Sequence, residues 1–113
     1  MAKHSRVPRP TRGDEFELVF GSNAAAKGWR DLVASRRNLM ADTWDFLSRS
    51  PHTETPKNYP LKGTLGTVTR GGVQHARWQH KPSEQWTPRI WFYVEEKRVV
   101  LEQVHTSHPK ETE

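Results

Sequence analysis

The sequence predicts an α+β fold: a small, curved, mainly antiparallel sheet with two N-terminal helices packed on one face. Hydrophobic residues alternate from Glu15 to Phe20, take a helical spacing from Ala24 to Leu47, and alternate again after Leu65. Turn signals at Gly71-Gly72 and Glu95-Glu96-Lys97 then separate segments whose connections are too short for parallel crossovers.

Each element follows in order. Phe16, Leu18 and Phe20 fall on one side of a first strand. Gly21-Ser22-Asn23 ends it, and Ser22 or Asn23 is placed to cap the next helix. Trp29, Leu32 and Val33 form one stripe, with Lys27, Arg30, Asp31 and Arg37 facing elsewhere. Leu39, Met40, Thr43, Trp44 and Leu47 continue the period, with a break between two helices expected near Asn38 and a stop at Ser50-Pro51. Residues 52–60 read as a polar loop. Leu65 to Thr69 and Val73 to Trp78 are expected to pair across Gly71-Gly72, and residues 83–88 form another connection. Ile90, Phe92 and Val94 alternate with Trp91 and Tyr93 in the clearest strand. Val99 to Val104 is apolar on both sides, which predicts a central or fully covered strand. The last four strands are expected to form a meander, and the first strand to reach its neighbour through the helical crossover. One sheet face stays partly open, with Thr67, Thr69, His75, Arg77, Arg89 and His105 expected to be exposed on it.

A chain of 113 residues is about one domain in length. Hydrophobic residues make up 33% of it, so the core must be economical, and five tryptophans and four phenylalanines compensate with large buried areas. Residues 1–13 contain Lys3, Arg6, Arg9 and Arg12, two prolines and no acid, and read as a flexible basic arm. Residues 14–108 form the single domain, and 109–113 a short polar tail. The absence of cysteine rules out a disulfide scaffold, thiolate zinc ligation and thiol catalysis. No segment has the apolar length to cross a bilayer, and the N-terminus lacks the apolar run of a secretory signal. A cytoplasmic location is expected.

Eighteen Lys and Arg against thirteen Asp and Glu give a formal charge of +5, which favours polyanions and acidic proteins as partners. A clean basic amphipathic helix is missing, so no membrane partner is expected. A basic, partly aromatic sheet face suits single-stranded RNA, whose phosphates meet arginines and whose bases stack on rings. His75 with His80, or His105 with His108, lacks the companion ligands of a metal site, and Gly63 and Gly66 do not form a phosphate loop. Neither metal nor cofactor is expected. Metal-free RNA cleavage needs less, because the ribose 2′-hydroxyl is the nucleophile. One group takes its proton, another protonates the leaving 5′-oxygen, and arginine stabilises the phosphate. His105 and His108 bracket the exit of the last strand, and Arg89 opens the strand expected beside it. Polar residues at strand ends are also often plain solvated groups.

Arg89-Ile90-Trp91-Phe92-Tyr93-Val94, the short charged turn, Val99 to Val104 and His105-Thr106-Ser107-His108 together resemble the RelE/ParE toxin superfamily. The likeness is greatest to its ribosome-associated RNase branch, which includes YoeB and HigB. It extends back through Arg77-Trp78 and Leu61-Lys62-Gly63 to the helices and first strand, covering roughly Phe16 to His108. The resemblance implies a RelE-like fold and the toxin of a type II toxin-antitoxin system. Such a toxin is a metal-independent mRNA endoribonuclease that works on the ribosome, inhibits translation, and is silenced by a cognate antitoxin in a hetero-oligomeric complex. It implies that Arg89 contacts the scissile phosphate, that His108 transfers a proton and that Arg77 binds RNA. Lys62, Arg70, His75, Lys81 and Trp78 complete the expected RNA surface. In that branch a tyrosine commonly lies close to the histidine. Here Pro109 follows His108 and no tyrosine occurs after Tyr93, so His105 and Glu84 stand as further candidates for proton transfer. ParE-like members share the fold but act on DNA gyrase, and a non-catalytic RNA- or protein-binding relative is a third alternative.

Overall fold

In the computed structural model, which describes residues 4–107, the chain runs β1 (Glu17–Phe20), α1 (Asn23–Ser35), α2 (Arg37–Arg49), β2 (Asn58–Pro60), β3 (Thr67–Arg70), β4 (Val73–Ala76), β5 (Trp78–His80), β6 (Arg89–Glu95) and β7 (Arg98–His105). A 3-10 turn, Gly63–Gly66, precedes β3. Five strands form one sheet in the order β1-β7-β6-β5-β2, antiparallel except for the parallel pair β1–β7, while β3 and β4 form a separate hairpin. The fold is therefore α+β, with two N-terminal helices and a central, mostly antiparallel sheet. No helix among the described residues is long and apolar enough to cross a membrane.

Local chemistry explains the helices. Ser22 caps α1, its hydroxyl accepting the Ala25 N–H at 3.0 Å, an arrangement typically worth about 1 kcal/mol. The break before α2 falls at Arg36, two residues before the expected Asn38, and the Arg36 N–H closes α1 on Leu32 O. Leu32 of α1 with Met40 and Leu47 of α2 meets Ile90, Phe92, Val99 and Leu101, making one apolar core between helices and sheet. Ahead of β1, the enclosed Glu15 carboxylate takes Arg9 at 2.9 Å, Arg49 at 3.7 Å and the Arg12 N–H at 2.8 Å. The Arg9 hydrogen bond, chief among these, holds that carboxyl down at about 2.

α1 lies so close to β7 that a Cβ on Gly28 would sit 2.6 Å from the Val104 carbonyl oxygen. Alanine at an exposed helix site gains up to about 1 kcal/mol over glycine. Here the contact is with backbone, which cannot swing aside. Gly28→Ala is therefore expected to destabilise the protein by about 1–3 kcal/mol in urea unfolding, the range for overpacking. A midpoint at or above that of the wild type would show that α1 withdraws freely.

Four expectations need correction. The neighbour of β1 is β7, not the first strand after the helices, so the crossover leads to the far edge of the sheet. The supposed loop at 52–60 contains β2, a three-residue edge strand paired with β5. Pro60 is tolerated there because an edge strand leaves one side of its backbone unpaired. The strand expected from Val73 to Trp78 is interrupted at Arg77, whose N–H bonds Gly66 O and whose carbonyl accepts from Leu61 N. The meander is consequently limited to β5–β6–β7, and the β3–β4 hairpin leaves the sheet to pack Val68 over Tyr93 and Val100.

Candidate functional site

The sheet face turned away from the helices has two parts. The hairpin occupies one. His75 stacks on Tyr93 with centroids 4.7 Å apart, its Nε2 3.8 Å from Glu95. Between β6 and β7 the register shifts, leaving Glu102 as the extra residue of a bulge. Its carboxylate accepts from Arg77 Nε at 2.9 Å and also pairs with Arg70.

The second part lies over β2, β5, β6 and the end of β7. Cross-strand register sets Tyr59, Gln79, Trp91 and Gln103 in one row, and Arg89 opposite His105 in another. Strand alternation puts both rows on the same face. Trp91 Nε1 donates to Gln79 Oε1 at 2.9 Å, and Gln79 Nε2 donates to the Tyr59 hydroxyl at 2.7 Å. Arg77 lies 5.4 Å from the Trp91 ring centre, and His105 meets that ring edge-on at 4.7 Å. Lys81 Nζ stands 5.4 Å over Tyr59.

Arg89 is the one buried arginine among the described residues, only 6% exposed, which corrects its expected place on an open surface. His75, Arg77 and His105 are also partly covered rather than exposed, because the hairpin, Glu102 and Trp91 pack against them. The residues before β6 fold back over the Arg89 guanidinium, whose Nη1 donates to Trp86 O at 2.8 Å and Pro88 O at 2.9 Å. Its buried Nε has no hydrogen-bond partner among the described residues. Arg9, Arg49, Arg70, Arg77 and Arg98 each have a carboxylate within ion-pair distance, whereas Arg89 has none among the described residues. Burial lowers its proton affinity, with Tyr59 acting in the opposite sense. The group stays cationic all the same, since guanidinium does not deprotonate in proteins. A desolvated cation without a counter-charge is costly, and an anion would relieve that cost.

The structure thus gathers Arg89, His105, Arg77 and Lys81 around Trp91 and Tyr59. Lys62 is exposed on the loop after β2 and lines, with Tyr59, an open pocket of about 570 Å³. Arg70 and His75 belong to the hairpin side. Glu84 is exposed in the connection before β6. His108 lies outside the described residues. Trp78 is on the opposite face, stacked on Phe92 and against His52, and so does not join Arg77.

His80 also faces the helices. It is buried and stacked on Phe46 at 5.2 Å, with Nδ1 3.1 Å from Asn58 Oδ1. Asn58 Nδ2 donates to the carbonyls of Pro51 and Thr53, so its Oδ1 is the acceptor and His80 Nδ1 carries the proton. Burial, then the Lys57 charge, push this imidazole down to about 4. Its role is to tie the 51–58 segment to the sheet.

Sequence reasoning missed Tyr59, Gln79 and Glu102, and gave Trp91 no role. Alternation did put Trp91 opposite Ile90 and Phe92. Nothing in residues 52–60 marked a strand that would carry Tyr59. No protein-family model matches the chain, and no curated protein sequence matches it.

Proposed function

We propose that the chain is a metal-independent endoribonuclease toxin that cuts mRNA on the ribosome with its hairpin-free sheet face, as the resemblance to the RelE/ParE superfamily implies. The observation that carries this reading is Arg89, a buried guanidinium whose Nε is unused and which has no carboxylate partner among the described residues, set in register with His105. The two helices on the other face support a RelE-like identity for the fold. Arg89 holds the scissile phosphate and stabilises its developing charge. His105, opposite it, takes the proton of the attacking 2′-hydroxyl. Lys81 and Lys62 meet flanking phosphates. Arg70 and Arg77 are engaged by Glu102 and shape the surface rather than bind phosphate directly. The same cationic face is where an acidic antitoxin segment docks, and cytoplasmic action follows from the target.

The two carbonyl bonds made by Arg89 favour a second reading. In it Arg89 anchors the connection before β6, and the face binds RNA or protein without cutting.

Primer extension in a translating extract separates the two. New mRNA ends within coding sequence, terminating in 2′,3′-cyclic phosphate, are expected, together with growth arrest on expression that the neighbouring antitoxin gene relieves. Soluble protein that generates no new ends leaves only the binding reading.

A further inference from the structure

The row Tyr59–Gln79–Trp91 has a direction. An indole nitrogen only donates, so Gln79 Oε1 must be the acceptor of the 2.9 Å bond from Trp91. That fixes the Gln79 amide, which is buried and cannot turn over without losing this bond. Its Nε2 therefore donates to the Tyr59 oxygen at 2.7 Å. Here Tyr59 accepts, and its own proton is left for another acceptor. Tyr59 is half-buried on the edge strand β2, lies beside the ammonium of Lys81, and shares the sheet face of Arg89, two strands away across β5. A phosphate held at the Arg89 guanidinium would lie on the same sheet face as that hydroxyl.

We propose that Tyr59 is a catalytic residue, the proton donor to the leaving 5′-oxygen; this rests on the ribonuclease reading. The 2′-oxygen bonds to phosphorus as its proton passes to His105. The P–O5′ bond breaks with its electron pair staying on O5′, and O5′ takes the Tyr59 proton. The products are a 2′,3′-cyclic phosphate and a free 5′-hydroxyl. Water then returns the proton from imidazolium to phenolate and resets the site. Trp91 and Gln79 are positioning residues, since they act through Tyr59.

The test uses Tyr59→Phe on translating ribosomes with two messages, one natural and one whose scissile 5′-oxygen is replaced by sulfur. A thiolate leaves without being protonated, so it needs no acid. On the natural message the variant is expected to be about a hundredfold slower than wild type. On the sulfur message the two should agree within about twofold, because only the proton-transfer contribution has been removed. Comparing messages within one protein preparation makes the result independent of the fraction folded. An equal loss on both messages, or no loss on the natural one, overturns the role of Tyr59 and leaves the ribonuclease reading standing. A wild-type protein that cuts neither message overturns both.

Discussion

Arg89→Ala is expected to slow cleavage of ribosome-bound mRNA by about 10²–10³-fold, some 3–4 kcal/mol of transition-state stabilisation, the usual loss for one preorganised donor in a desolvated site. On the ribonuclease reading the guanidinium meets the phosphate where charge grows during bond breaking, so the rate should fall more than RNA affinity. Two bonds to the connection before β6 vanish with it, leaving the Trp86 and Pro88 carbonyls without that donor. A stability loss of roughly 1–2 kcal/mol accompanies the change, and rates must be compared at equal folded protein. Arg89→Lys sharpens the comparison. It retains a charge but not the planar fork, so binding should largely survive while the rate stays low. A folded Arg89→Ala protein that cuts at the wild-type rate would remove Arg89 from the site.

Acid should weaken the fold in two separate windows. His80 titrates near 6.5 when unfolded and at about 4 when folded. As pH falls below 6.5 the unfolded chain binds a proton that the folded protein refuses, and stability declines until the folded imidazole also protonates near 4. The difference amounts to about 3 kcal/mol. Glu15 behaves differently, because its carboxyl is depressed from 4.5 to about 2, so its contribution is present above 4.5 and is lost only as pH falls toward 2. Urea midpoints measured from pH 7 to 4 should fall steadily in the wild type. In His80→Gln, already less stable at pH 7, they should lie much flatter over that range. An unchanged slope in the variant would move the acid sensitivity elsewhere.

Periodicity read the fold well wherever a segment was long and half-buried. The helical stripe through Trp29, Leu32, Met40 and Leu47 is the one that packs on the sheet, with Ile90, Phe92 and Val94 facing it. β7 has neighbours on both sides, as its two apolar faces predict. Short elements gave no such signal. β2 has three residues, one of them proline, and its existence depends on β5 rather than on its own sequence. The site was legible only in part, because Arg89 and His105 sit at strand ends that alternation locates, whereas the orientation of Tyr59 depends on a hydrogen bond to Gln79, twenty residues away. Trp78 shows the converse. Next to Arg77 in sequence, it lies on the other face, because adjacent residues near a strand point to opposite sides.

The parallel pairing of β1 with β7 makes time part of this architecture. Glu17 finds its partner at Arg98, roughly eighty residues later, so the sheet closes through one of its most distant contacts and is expected to assemble slowly for its size. Until β7 is laid down, β1 and β6 have no strand between them, and Ile90 and Phe92 lack the Leu101 and Val104 side chains that complete their cover. An unfinished chain therefore presents sticky edges, a natural target for chaperones. It also has no His105 across from Arg89. On the ribonuclease reading, the growing polypeptide is harmless to the ribosome that makes it, and potency arrives in one step when the final strand slots into place.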